Sequence, residues 1–137
     1  MKIKNIFDIA GRAMAAQMVR LNTISSNLAN AGATTGDPET VYKPLKPEFK
    51  TQYSENVKKN GISTVNVSKV VELKRDPFKF FDPNHPMADG DGYIYKAPIN
   101  VEEEMVDMMD ASRQYQNNVE VVTTLKALTL KTINIGK

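Results

Sequence analysis

Residues 100–137 read NVEEEMVDMMDASRQYQNNVEVVTTLKALTLKTINIGK, and their spacing predicts one long helix. Asn100 stands at the N-cap position with Glu103 three residues on, and Pro98 keeps the preceding chain extended. Glu102, Glu103, Glu104, Asp107 and Asp110 crowd the early turns while Lys126, Lys131 and Lys137 lie toward the end, the order the helix macrodipole favours. Gly136 supplies the expected stop. Val101, Met105, Met108, Ser112, Tyr115, Val119 and Val122 step by four and three, the spacing of a coiled-coil seam. Lys126 breaks the series, which resumes one position early through Leu125, Leu128, Thr132 and Ile135. Val106, Met109, Val121 and Leu130 lie off that line, and a helix with more apolar surface than one neighbour covers expects several neighbours.

A second helix is read over residues 3–28. Ile3, Phe7, Ala10, Met14, Gln17, Leu21, Ile24 and Leu28 keep the four-and-three step throughout. Gln17 is its polar intruder, either a residue that sets register or one on the solvated edge of the seam, the second being the simpler account. Asn27, Asn30 and Gly32 are expected to end the helix.

Between the helices the periodicity vanishes. Gly36, Asp37-Pro38, Pro44, Pro47 and Asn60-Gly61 punctuate an extended connector whose Tyr42, Leu45, Phe49 and Tyr53 are expected to lie against apolar surface. Residues 64–73 read as a strand with Val65, Val67, Val71 and Leu73 on one face, interrupted by Lys69. Phe78 and Phe80 start another strand, and the turn-rich DPNHPMADGDG leads into a third at Tyr93-Ile94-Tyr95. The expected fold is α+β and mainly α. A helix over 1–31, a connector over 32–61, a small β region over 62–99 and a helix over 100–137 follow in order, the two helices pairing as a coiled-coil-like unit with the chain ends at one pole.

With 137 residues the chain has room for one domain, and 41% hydrophobic with 25% charged residues is ordinary globular composition. A formal charge of +2, with no basic patch interleaved with aromatics, gives no footprint for nucleic acid or a membrane surface. The absence of cysteine removes disulfides, zinc–thiolate sites and thiol catalysis. Arg12 and Arg20 interrupt any signal-like apolar core, so export, if it occurs, is expected to use an unprocessed route.

Candidate chemistry is thin. His85, Asp82, Asp89 and Asp91 suggest a cation loop, but an EF-hand starting at Asp82 needs glycine and glutamate where Met87 and Tyr93 stand, so the segment reads as a polar turn. Glu102 to Glu104 are successive helical residues that do not share a face. Ser112, Tyr115 and Lys126 have no base to orient beside them, since the single histidine sits on a distant turn. The expectation is no catalytic residue, no metal and no cofactor. The residues expected to carry function are instead an assembly interface: Ile3, Phe7, Met14, Leu21, Ile24 and Leu28 on the first helix, with Met105, Met108, Tyr115, Val119, Val122, Leu125 and Leu128 on the last. A cytosolic coiled-coil adaptor would share these seams.

The stretch NIFDIAGRAMAAQMVRLNTISSNLANAGAT (residues 5–34), with its S-S-N-L-A-N core, resembles the N-terminal signature of flagellar rod and hook proteins. The last helix, with A-S-R-x-Y-Q-x-N-V-E-V and L-K-T-x-x-x-G, looks like the matching C-terminal end, and DPNHPMADGDGYIYKAPINV resembles the segment before that helix in the proximal-rod branch. The resemblance implies a non-enzymatic subunit of the flagellar basal-body rod, exported by the flagellar type III apparatus into the periplasm-spanning shaft without a cleaved signal. It implies further copies of the chain, the other rod proteins FlgB, FlgF and FlgG, and the rod-to-membrane-ring adapter FliE as partners. It also implies that both terminal helices build the inner tube around the export channel and the β region packs outward.

Overall fold

Capping fixes where the last helix starts. The Asn100 side-chain oxygen accepts the N–H groups of Glu102 (3.1 Å) and Glu103 (3.3 Å), and three glutamates occupy the first turn. In the computed structural model, which describes residues 3–52 and 64–135, this helix is α2 (Val101–Ile135). Before it come α1 (Ile3–Asn30), β1 (Thr34–Thr35), a 3-10 turn (Pro38–Thr40), β2 (Leu45–Gln52), β3 (Thr64–Glu72), β4 (Phe78–Phe81) and β5 (Tyr93–Lys96). The architecture is thus two terminal helices with antiparallel strands between them, and it is mainly helical. The expected stop at Gly136 lies outside the described residues.

The helices pack antiparallel. Gln17 bonds Gln114, Arg20 bonds Asp110 and Asp107, and Asn27 bonds Glu104, so partners descend α2 as they climb α1. Ala16 and the fully covered Ala111 let the backbones approach. The best-covered α1 residues are Ala10, Ala16, Thr23, Ile24 and Asn27, a line rotated from the apolar seam read in the sequence, and Phe7, Met14, Leu21 and Leu28 are only half-buried on its flank. The physical reason is polar: Arg20 and Asn27 reach partners only from a face turned toward the acidic start of α2. Gln17 stands at the solvent-facing edge of that face, donating across the helix pair to the Gln114 side chain at 2.8 Å.

β2 and β3 form a two-stranded antiparallel ribbon, and β1, β5 and β4 form a three-stranded sheet in that order. β3, β4 and β5 fall where strands are expected, whereas β2 runs through the segment expected to be an extended connector. Pro47 is tolerated in β2 because a two-strand ribbon has a free edge. A register shift at Glu48/Phe49 pairs Phe49 with Val67, Pro47 with Val70 and Thr51 with Val65. Directly paired residues share a face, so Val65, Val67 and Val70 lie on the side of Phe49, and Val71 leaves the face that simple alternation gave it.

A small core of Val41, Ala97 and Ile99, flanked by Ala31, Tyr42 and Tyr95, joins the sheet to the end of α1. The bend between β1 and the 3-10 turn approaches the loop before β5: a Cβ on Gly36 would stand 2.5 Å from the Met87 carbonyl oxygen.

Candidate assembly surface

Polar groups hold the helix pair in register. The Arg20 guanidinium forks to Asp107 at 3.0 Å and Asp110 at 3.1 Å, with its own side chain 23% exposed. Asp110 also accepts from Gln114 at 2.9 Å, which aligns that amide for Gln17. The Gln17 side-chain oxygen, by contrast with its nitrogen, is buried without a partner.

Asn27 joins three elements. Its Oδ1 accepts the Leu45 N–H (2.8 Å) and the Tyr42 hydroxyl (3.1 Å), and its Nδ2 donates to the Leu45 carbonyl (2.9 Å) and the Glu104 carboxylate (3.2 Å). The carboxamide therefore uses its full donor and acceptor capacity inside the protein. Burial, followed by the negative charges of Glu104 and Glu72, raises the Tyr42 phenol above its ordinary pKa. Of the residues expected to end α1, Asn30 is its last, while Asn27 lies one turn inside it and is a hub.

This packing leaves much apolar surface of α2 uncovered. On α2, Met105, Val106, Met109, Leu128, Leu130 and Ile133 are each more than half exposed, and Val101, Val119 and Val121 are exposed as well. Among the described side chains of α1, Met18 alone of the large apolar residues is exposed. Of the residues expected at an assembly interface, Met105, Val119 and Leu128 stand on open surface, while Met108, Tyr115, Val122 and Leu125 are half-buried. Ile24 is buried, and the side chain of Ile3 lies outside the described set. The fold thus covers one side of α2, with Ala111 buried and Met108, Tyr115, Val122 and Leu125 half-buried, and leaves open a side where Met105, Val106, Met109 and Leu130 stand among charged and polar residues.

The DPNHPMADGDG segment is a hydrogen-bonded turn. One Asp89 oxygen accepts the N–H groups of Asp91 and Tyr93, and the other accepts the Tyr95 hydroxyl at 3.1 Å. The Tyr93 N–H foremost, with the Tyr95 hydroxyl and the Asp91 N–H, holds the Asp89 carboxyl below its ordinary pKa. His85 Nδ1 accepts the Met87 N–H, and Gly92 takes φ +82° beneath Pro83 and Phe81. Among the described residues no group of three or more histidine, cysteine or acidic side chains is placed to hold a metal. None of the described helices is long and apolar enough to cross a membrane.

The residues that sequence reasoning missed are Arg20, Asn27, Tyr42 and Gln114. The usable signal was the acidic run opening α2, which demands donors from whatever packs beside it.

A family model described as "Flagella basal body rod protein" matches residues 7–36, and one described as "Flagellar basal body rod FlgEFG protein C-terminal" matches residues 91–135. The chain is 40% identical over 137 residues, covering all of both chains, to the flagellar basal-body rod protein FlgC of Salmonella typhimurium strain LT2. It is 40% identical to that of Escherichia coli O157:H7 and 39% to that of Yersinia enterocolitica, again end to end. A cytosolic adaptor does not survive this match. Both ends and the middle of the sequence are shared, and the chain belongs to the flagellar basal-body rod protein family, FlgC-like structural subunits of the basal body and not enzymes.

Proposed function

We propose that the chain builds the proximal rod through its terminal helices, which meet neighbours in a coiled-coil-like manner, enclose the export channel and transmit torque. The observation that carries this is the open apolar face of α2, which no intrachain element covers among the described residues. Neighbours are further copies of the chain, the rod proteins FlgB, FlgF and FlgG, and the adapter FliE. The chain reaches the periplasm by the flagellar type III route with no cleaved signal.

Charge supports a direction of stacking. The late turns of α2 expose Lys126 and Lys131, while its first turn exposes Glu102 and Glu103 at the other pole. Arg12 is met by Asp8 at 3.2 Å, so the lysines carry the basic pole. Axial neighbours meeting basic to acidic pole would fix polarity, each exposed pair contributing about 0.2–1 kcal/mol and apolar burial the rest. Basal bodies from cells lacking the chain, imaged by electron microscopy, should have truncated rods, and intact rods would reject the assignment. Lys126→Glu with Lys131→Glu should weaken assembly most at low salt; assembly unchanged at low salt discards the polarity.

A further inference from the structure

The three-stranded sheet has an open edge. In the order β1, β5, β4 the last strand meets β5 on one side only, and all four of its residues are exposed. Two observations show which of its peptide groups face outward. Asp82 donates its N–H to the Gly92 carbonyl on the β5 side, so Asp82 and, by alternation, Phe80 and Phe78 turn inward. Tyr93, the residue opposite Phe81, gives its N–H to the Asp89 carboxylate and its carbonyl to the Asp89 N–H, so neither group is left for Phe81. Lys79 and Phe81 therefore direct their N–H and C=O groups away from the sheet, and among the described residues no strand pairs with them.

Pro77 and Pro83 flank these two residues in the same outward phase and have no N–H to offer. The edge is thus a short slot centred on Phe80. A lysine on an edge strand usually guards it against pairing. Lys79 instead folds back over its own sheet, its Nζ 3.8 Å from the Tyr93 ring centroid, and leaves the slot uncovered.

We propose that β4 pairs antiparallel with β4 of a second copy about a two-fold axis through Phe80, joining two three-stranded sheets into one of six strands. In that register Lys79 of each copy exchanges both backbone bonds with Phe81 of the other, which uses every free N–H and C=O in both slots. Phe80 meets Phe80 in a non-hydrogen-bonded pair, where facing side chains stand closest. Pro77 falls opposite Pro83, so the ladder ends there without stranding a donor. Phe78, Phe80 and Phe81, 48%, 47% and 67% exposed in the single chain, cover one another across the junction. An isologous contact closes at two copies and cannot propagate. It is therefore a contact of free subunits, and it stands whether or not α1 and α2 meet neighbours in a shaft.

The chain has no cysteine, so Phe80→Cys places a single thiol on the axis. Facing Cα atoms in a non-hydrogen-bonded pair are about 4.5 Å apart, within disulfide range. The purified full chain with Phe80→Cys, oxidised in dilute solution, should run as a dimer on a non-reducing gel. Met18→Cys, a comparably exposed thiol on α1, should couple far more slowly. Lys79→Pro removes an outward donor and none that faces β5, so it should keep the circular dichroism of the parent yet sediment as a monomer at concentrations where the parent forms dimers. Phe80→Cys coupling no faster than Met18→Cys, or a parent that sediments like Lys79→Pro at every concentration, would overturn the pairing.

Discussion

The Asn27 carboxamide and the Leu45 peptide close a two-bond ring, with the Leu45 N–H donating at 2.8 Å and the Leu45 carbonyl accepting at 2.9 Å. A side chain of α1 thus pairs with the first residue of β2 as a neighbouring strand would. Because Asn27 is 2% exposed, truncation strands the Leu45 N–H and C=O away from water. Asn27→Ala should lose about 2–4 kcal/mol of unfolding free energy in urea titration. Asn27→Asp keeps the shape but loses the donor beside Glu104, and should do no better; full stability in Asn27→Asp would refute the donor role.

Arg20 answers two carboxylates one helical turn apart, and a single ammonium cannot span both. Asp107 and Asp110 are 42% and 48% exposed at the side chain, so solvent screening limits the loss in Arg20→Ala to about 1 kcal/mol. Arg20→Lys should recover less than half of it. Equal stability of the lysine variant and the parent across a salt series would show that the fork is idle.

These two contacts mark the border of what could be read in advance. The start of α2 was legible because capping is local: Asn100 and three glutamates suffice. The strands β3 to β5 were legible because their alternation is local. β2 was hidden by Pro44 and Pro47, whose turn propensity was overridden by pairing with a strand whose residues follow later in the chain. The α1 face was misplaced because apolar spacing marks a stripe of surface, whereas Arg20, Gln17 and Asn27 are placed by partners far along the chain.

Gly36 is required by space, not by φ. An added methyl would stand 2.5 Å from the Met87 carbonyl oxygen, a backbone atom that cannot rotate aside. Gly36→Ala should therefore cost about 1–3 kcal/mol by forcing the bend after β1 away from the loop before β5. Gly32→Ala, with open space around its Cβ, is the control and should change stability little. Calorimetry that ranks the two variants equally would contradict the close approach.

Two shifted groups contribute to the pH dependence of stability. The Tyr42 pKa is raised in the folded state, so its contribution is complete below the unfolded value of about 10 and is lost as pH climbs through the folded one. The Asp89 pKa is lowered, so its contribution holds above the unfolded value of about 3.9 and is lost as pH falls through the folded one. Tyr42→Phe should flatten the alkaline limb of a stability profile and Asp89→Asn the acid limb. An alkaline limb unchanged in Tyr42→Phe would assign it to another group.

The open face of α2 separates folding from assembly. Val106 is 66% and Met109 64% exposed, so aspartate at either position meets water in the free subunit and should leave its urea midpoint within about 0.5 kcal/mol of the parent. In the rod the same carboxylate would be driven into an apolar contact and left unpaired, which costs several kcal/mol per buried ion. Met109→Asp should thus abolish motility with unchanged monomer stability, while Glu120→Gln, an exposed change that strands no charge, should swim normally. The free subunit also covers only one side of α2, so its late turns should exchange amide protons faster than those near Ala111, which is fully buried. Uniform protection along α2 in the monomer, together with full motility of Met109→Asp, would mean that the exposed apolar face has no neighbour to meet.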